Sequence, residues 1–300
     1  MGTLTKQIYR YTHPRNMRHN ENLWPFVKIQ RDNSGAISSL CYRNQKIPIE
    51  NLSDIKGSFN GSALLTATGP SIRNIDFSVI PEIPAVGVNG AWHLHTKVNF
   101  SVYIIVDMIF MDSRTDLLEK IISSTELILF TTANGIMRLV DKFSLKNIKC
   151  KLALIEDKCY PIYEQKIPVN NIYSTFKSQD NILFLKDNVN IAFNHDIRNG
   201  IFDAGTVAYW SLQILSYLGF DKIYIAGLDM NNFSTPRFYE TQNDMLPSFL
   251  EGKMHDIIIP AFTLARQAMS EKNIEVINLS LESAIPSYIF QKLDYRDAFK

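Results

Sequence analysis

Cysteine is scarce in this chain. Cys41, Cys150 and Cys159 are the only three in 300 residues, and their irregular spacing excludes both a disulfide framework and the paired spacing of a zinc site. A reducing compartment, the cytoplasm, is the expected location. Long apolar runs are lacking as well. The run "VYIIVDMIFM" is short and interrupted by Asp107, and "MGTLTKQIYRYTHP" has no apolar signal-peptide core, so any membrane contact is expected to be peripheral. There is no three-glycine dinucleotide fingerprint, no Walker loop, no nucleophile elbow and no His-Glu-x-x-His, which sets aside hydrolase and metalloprotease chemistry. An Asp-x-Asp pair, which would hold a divalent metal under a nucleotide-sugar diphosphate, is also missing. No metal and no cofactor are therefore expected. A donor with a single phosphate fits that pattern, because a helix N-terminus and hydroxyl donors suffice to stabilise one phosphoryl leaving group.

Excess charge is missing overall but not locally. The formal net charge is +1, yet residues 1–56 hold nine Lys or Arg against four Asp or Glu. This arm is suited to an anionic surface such as lipid headgroups or a phosphorylated glycolipid, although a solvated arm packed on the domain has the same composition. Nucleic acid is not an expected partner, since the basic residues are scattered through "YRYTHPRNMRHNENLWPFVKIQR" without a helical face.

With 46% hydrophobic residues the chain can bury a large core. Strand-like runs at 62–67, 84–88, 101–106, 126–132, 149–155, 222–228 and 274–279 alternate with helical periodicity near 71–79, 113–124, 135–143, 205–218 and 258–272. This order predicts an α/β, Rossmann-like fold: a mostly parallel sheet with helices on both faces. Residues 1–60 read as a basic N-terminal extension, with a hairpin in "SLCYRNQKIPI" turned at Arg43-Asn44, and residues 61–300 as the Rossmann-like domain. Two aperiodic stretches, 157–200 and 230–256, have the length and composition of lids, and equally of surface decoration.

In an open parallel sheet, ligands lie beyond the carboxyl ends of the strands. One such end is "LLTATGPS", where Gly69 permits close backbone approach, Pro70 stiffens the turn and Ser71 is placed to cap a helix, an arrangement suited to phosphate. Asn89-Gly90 in "VGVNGAW" and Asp107 after "SVYIIV" stand at two more ends, each also explicable as turn or cap chemistry. In "DAGTVAYWSLQILSYLGFDKIYIAGLD", Asp203-Ala204-Gly205 opens a helix whose buried face is Val207, Trp210, Leu212, Leu215 and Leu218. Gly219 ends that helix, and the next strand finishes in Gly227 and Asp229. Among the histidines, His93 and His95 lack a third metal ligand, while His195 and His255 precede helix candidates as possible general bases.

Taken together, "TGPSIRNIDFSVIP", "VNGAW" and "AGTVAYWSLQILSYLGFDKIYIAGLD" resemble bacterial CMP-sialic acid-dependent sialyltransferases and motility-associated glycosyltransferases over roughly residues 62–280. With "YTHPRNMRHNENLWPF" added, the chain looks like the lipopolysaccharide core Kdo III transferases. Kdo and sialic acid are both 2-keto acids activated as CMP conjugates. The resemblance thus implies a metal-independent, inverting transferase that moves Kdo, or a similar 2-keto sugar acid, from a CMP donor to the lipopolysaccharide inner core at the cytoplasmic face of the inner membrane. It also implies roles for individual residues. Thr68, Gly69, Pro70 and Ser71 form the nucleotide-contacting turn, with Thr68 where the family often has Asn. Asn89 stands at the cytidine-contacting position, followed by Gly90 in place of a larger polar residue. Asp203, Gly205 and Thr206 hold the phosphate at the helix start, where Ala204 replaces a serine, and Asp229 supplies the Gly-x-Asp carboxylate. His255 falls near the catalytic histidine and becomes the expected base, with Asp107 in reserve. Two other readings stay open: a Mg²⁺- and ATP-dependent phosphotransferase like the pterin pyrophosphokinases, and a non-catalytic nucleotide-sugar fold serving assembly.

Overall fold

Runs of Val, Ile and Leu bounded by turn residues pair as strands when both of their faces can be covered, and this chain covers both. The computed structural model describes residues 3–231 and 233–300; Met1 and Gly2 of the expected extension and Asn232 of the second expected lid lie outside the described residues. Strands β1 (Val27–Arg31), β2 (Ile37–Tyr42) and β3 (Gln45–Ile47) form a small antiparallel sheet. Next come β4 (Ser62–Thr66), β5 (Ala85–Val88), β6 (Phe100–Ile105), β7 (Ile128–Thr131) and β8 (Lys151–Leu154). The hairpin strands β9 (Ile182–Leu185) and β10 (Asn188–Asn194) precede β11 (Lys222–Ala226), β12 (Glu275–Asn278) and β13 (Gln291–Lys292). The main sheet has eight strands in the order β13-β12-β11-β4-β5-β6-β7-β8, and every pairing in it is parallel.

Alternation along these strands feeds two cores. Ala63, Leu65, Val86, Val102 and Ile104 face a layer built on helices Val207–Leu218 and Ile259–Glu271. Leu64, Ala85, Tyr103 and Ile105 face the opposite layer, which holds helices Thr115–Ile122 and Ala133–Phe143. Leu23, Val27, Leu40, Tyr42 and Ile47 pack into that second core, so the antiparallel sheet is part of the same layer. Two strand threonines are buried with their hydroxyls spent on neighbouring strands: Thr66 donates to Val86 O (3.1 Å) and Thr131 to Ile105 O (2.6 Å). Ten of the twelve residues of helix Val207–Leu218 are buried, and each large apolar one contributes about 1.5–3 kcal/mol.

Local signals act as expected at two turns. Arg43 and Asn44 both take positive φ (49° and 64°), the geometry of a two-residue hairpin whose twist matches its strands. Gly219 caps its helix at φ +100°, and a Cβ there would lie 2.6 Å from Phe59 O.

Elsewhere the structure departs from the periodicity. The helix expected at 71–79 is two short 3₁₀ turns, Pro70–Asn74 and Phe77–Val79, separated by extended Ile75 and Asp76. Asp76 starts the second turn by accepting the Ser78 amide at 3.0 Å, a local bond that competes with helix propagation. The helix expected at 113–124 is Thr115–Ile122, and Arg114 separates it from an additional short helix, Met108–Ser113. Residues 157–200 form two 3₁₀ turns, Val169–Asn171 and Ile197–Asn199, helix Ile172–Phe176 and the β9–β10 hairpin, which packs against helix Ile259–Glu271.

Candidate functional site

The strand order reverses between β4 and β11. From β4 the chain winds outward through β5, β6, β7 and β8, and after β10 it returns to the other side of β4. Such a switch point leaves a crevice beyond the carboxyl ends of the two strands. A cavity of about 390 Å³ lies there, lined by Thr68, Gly69, Pro70, Asn89, Asp107, Asp203, Gly205, Thr206 and Asp229 among others. These come from five strand ends or loops far apart in sequence. Ser71 and His255 do not line it.

Gly69 and Asp229 meet across the switch point. Gly69 N–H donates to Gly227 O at 2.9 Å, and a Cβ on Gly69 would sit 2.6 Å from both the Asp229 carboxyl carbon and Gly227 O. Only glycine fits there. The buried Asp229 carboxylate accepts the Ser71 amide at 2.8 Å and also the Ser71 hydroxyl, whose oxygen lies 2.8 Å from Ser280 Oγ. This corrects the expectation that Ser71 caps a phosphate-binding helix. Its donors are spent on Asp229, the N-cap position belongs to Gly69, and a five-residue 3₁₀ turn has little dipole to offer an anion.

The stronger anion position is across the cavity. Helix Val207–Leu218 is capped by Thr206, whose Oγ1 accepts the Ala208 amide at 3.3 Å, so the helix begins three residues after the expected Asp203–Gly205 start. Thr206 fills its acceptor role there and keeps a hydroxyl proton to donate, which supplies a hydroxyl where Ala204 has none. Gly205 takes φ +75° and Asp203 Oδ1 accepts Gly205 N (3.0 Å) and Trp210 Nε1 (2.8 Å), which fixes the entry to the helix. Lys253 closes this corner: a Cβ on Gly205 would lie 2.8 Å from Lys253 Cδ and 3.2 Å from its Nζ. The other cation on the cavity wall, Arg237, is engaged with Glu240 at 2.8 Å and with Leu246 O at 3.1 Å. Lys253 has no such partner among the described residues. Sequence reasoning missed it, since a single lysine in the polar run "EGKMH" carries no signal by itself.

Asn89 sits at φ +46° with Oδ1 buried and without a hydrogen-bond partner. Its carbonyl accepts the hydroxyl of the fully buried Tyr103 at 2.7 Å, which holds the turn. A buried amide oxygen left unpaired on a cavity wall is a polar group that calls for a donor. Gly90, next to it, has a steric reason: the Tyr239 ring lies where any side chain would go, 2.5 Å from a Cβ at its Cδ1, and stacks on His93. Asp107 is the N-cap of helix Met108–Ser113, with Oδ1 accepting Ile109 N (2.8 Å) and Phe110 N (3.2 Å).

The segment around Tyr239 forms the outer wall. Phe238 N–H donates to Thr68 O at 3.3 Å, and Arg73 donates to the carbonyls of Arg237 and Phe238 at 3.1 and 3.2 Å. Buried Glu240 ties the loop together by accepting from Arg237 and Leu246 N, with Arg114 at 3.6 Å. His255 is exposed on the short helical turn Met254–Ile258 that leads into helix Ile259–Glu271. His195 is away from the cavity, half-buried with Nδ1 3.1 Å from Ser216 Oγ, and burial pushes its imidazole down to about 4. A neutral ring held there is a packing residue.

Residues 48–295 match the family model described as 3-deoxy-D-manno-octulosonic acid transferase WaaZ. No curated protein matches the chain. Among solved structures, the sialyltransferase CST-II in complex with a trisaccharide acceptor and CMP is similar at 13% identity and a TM-score of 0.41, covering 76% of this chain and 84% of that one. The sialyltransferase CstII from Campylobacter jejuni in complex with a substrate analogue, cytidine-5'-monophosphate, gives 13% identity and a TM-score of 0.42 over 76% and 83% of the two chains.

Proposed function

The chain belongs to the family of 3-deoxy-D-manno-octulosonic acid transferases and is a glycosyltransferase; from that premise we propose that it moves Kdo from a CMP donor to a hydroxyl of the lipopolysaccharide inner core, with inversion and without a metal. The observation that carries the donor assignment is the meeting of the Val207 helix start and the unpartnered Lys253 in one cavity at the switch point. A departing phosphate there gains the partial positive charge of the helix end, the Thr206 hydroxyl and an ammonium. Asn89 lines the same cavity with an unpaired carbonyl oxygen, suited to accept from the amino group of cytosine.

Calorimetric titration of the purified chain tests this reading. CMP is expected to bind without metal and in preference to UMP, AMP and ATP, with no change on adding EDTA. Binding of ATP only when Mg²⁺ is present would instead favour the phosphotransferase, and an absence of any nucleotide binding would favour the non-catalytic fold.

The acceptor is a membrane glycolipid, and the N-terminal helix has a matching face. Helix Thr3–Thr12 exposes Leu4 (67%), Ile8 (41%) and Tyr11 (91%), spaced to lie on one side, within the basic arm. Among the described residues no helix is long and apolar enough to cross a membrane. The proposal is that this face rests on the anionic cytoplasmic leaflet. The chain is then expected to co-sediment with vesicles containing phosphatidylglycerol and not with phosphatidylcholine alone. The Leu4→Ser, Ile8→Ser, Tyr11→Ser triple variant should lose that co-sedimentation while still binding CMP.

A further inference from the structure

A second cavity, of about 360 Å³, opens beside the first at the carboxyl ends of β6, β7 and β8. Val106 and Asp203 line both, so the two spaces meet along a shared wall. Its outer side is supplied by the N-terminal segment through His19, Asn20 and Leu23, and its polar floor by Thr132 and Asn134. We propose that this cavity holds the acceptor sugar and that Asp157 is the catalytic residue that takes the proton from its attacking hydroxyl. The proposal rests on the transferase reading above.

Three carboxylates line the second cavity, and they are not equivalent. Glu156 is spent: it pairs with Arg31 through bonds of 2.5 and 2.9 Å and accepts the Ile162 amide at 2.9 Å. Asp203 is occupied at Oδ1 by Trp210 and Gly205, and it stands where the two cavities join. Asp157 accepts the Cys159 amide at Oδ1 (2.7 Å), the Tyr160 amide lies close to the same carboxylate, and no cation pairs with it among the described residues. Backbone bonds from Lys158 N to Ile201 O (2.8 Å) and from Ile201 N to Glu156 O (2.9 Å) extend β8 and set Asp157 against the segment that leads to Asp203. His19 completes the wall, with Nε2 2.9 Å from Pro161 O and Nδ1 buried without a partner.

The electrostatics agree with a base poised near neutrality. Burial foremost, with the nearby charges of Asp203 and Glu156 adding to it, pushes the Asp157 carboxyl up to about 7, against the lowering effect of the Cys159 and Tyr160 amides. The other titratable or charged groups around it are Cys159, Lys158 with its Nζ 5.0 Å from the centre of the Phe176 ring, His19, and the Arg31 guanidinium with Glu156 and Glu164. A carboxyl of this kind is basic enough to accept a hydroxyl proton in the transition state.

The step balances as follows. The acceptor oxygen forms a bond to the anomeric C2 of the donor while its proton passes to the Asp157 carboxylate. The C2–O bond to phosphate breaks, its electron pair leaves on CMP, and Asp157 later gives the proton to water. Asp157 thus takes the role that the resemblance assigned to His255, which lines neither cavity.

The test uses the full chain with CMP-Kdo and lipopolysaccharide truncated in its inner core. Asp157→Asn, which retains an acceptor for the Cys159 amide, is expected to bind CMP within twofold of the unsubstituted chain and to lose about 10²–10⁴ in kcat. The unsubstituted chain should show kcat/KM rising with pH through about 7, and the variant should lack that limb. Asp157→Glu should restore part of the turnover with a displaced limb. Three results would overturn the assignment: kcat for Asp157→Asn within threefold of the unsubstituted chain, loss of CMP binding in the same variant, or loss of turnover in His255→Ala while Asp157→Asn stays active. Failure of the donor reading looks different, because the unsubstituted chain itself would then neither bind CMP nor transfer Kdo.

Discussion

Lys253→Ala weakens CMP binding about tenfold to a hundredfold, the equivalent of losing one charge-assisted hydrogen bond of roughly 1.5–3 kcal/mol. The expectation follows from geometry. The lysine packs its stem against the Cβ-free face of Gly205 and brings Nζ to the start of helix Val207–Leu218, in a corner of the cavity with no other free cation among the described residues. Because the contact is to phosphate, UMP should weaken by the same factor and the CMP-to-UMP preference should survive. Asn89→Ala provides the contrast: removing the unpaired amide should erode the base preference and leave the phosphate contribution in place. Lys253→Arg should recover only part of the loss, since a planar guanidinium is bulkier than the tight approach at Gly205 allows. Rising salt should weaken CMP binding to the unsubstituted chain more steeply than to Lys253→Ala. An unchanged Kd in Lys253→Ala would move the phosphate elsewhere in the cavity.

Asp229→Ala is expected to cost about 2–4 kcal/mol of stability, a drop on the order of 10 °C in Tm, together with loss of CMP binding. The carboxylate is buried at the switch point and is the acceptor for both the amide and the hydroxyl of Ser71. Truncation leaves those donors with no partner and opens a space beside Gly69, so the Thr68–Ser71 turn loses the group that shapes it. Asp229→Asn separates architecture from chemistry. Its amide oxygen can still take the Ser71 N–H, and the hydroxyl can reverse and accept from the new NH₂, so most of the Tm should return. If Asp229 acts by holding the turn, CMP binding returns with the Tm. Recovered Tm without recovered binding would mean that the carboxylate itself meets the ligand.

The family match and the site geometry bear on different parts of the reaction. Membership in the Kdo transferase family identifies a glycosyltransferase. The two adjoining cavities, one with a cation and a helix start and the other with a carboxyl held near neutrality, supply a physical basis for dividing donor from acceptor. Val106 and Asp203 line both cavities, so the proposed donor and acceptor positions are neighbours.

Much of the fold is written in local pattern. All seven strand-like runs appear in the main sheet within two residues of their expected ends, because a continuous stretch of Val, Ile and Leu between turn residues has little choice once both faces are covered. Arg43-Asn44 and Gly219 set their turns through backbone conformation alone, which needs no knowledge of the rest of the chain. Strand ends and a family pattern lead to the expectation that Thr68, Gly69, Pro70, Ser71, Asn89, Asp107, Asp203, Gly205, Thr206, Asp229 and His255 meet, and the tertiary structure lines one cavity with all of them except Ser71 and His255, which stay outside its lining. The two-residue β13 and the irregular β9–β10 hairpin left no period to read.

What only the tertiary structure decided involves partners distant in sequence. Ser71 looks like a helix cap until Asp229, brought in by β11, takes its donors. Gly90 looks like a missing side chain until Tyr239 fills the space. Lys253 is an ordinary polar-loop lysine until it lies on Gly205, and Asp157 an ordinary loop aspartate until the bridge to Ile201 buries it beside Asp203. Backbone conformation and apolar period are properties of neighbours along the chain and can be read there. Desolvation, charge pairing and steric exclusion depend on what the fold brings within a few ångströms, so the chemistry of this site exists only once the two halves of the sheet have met.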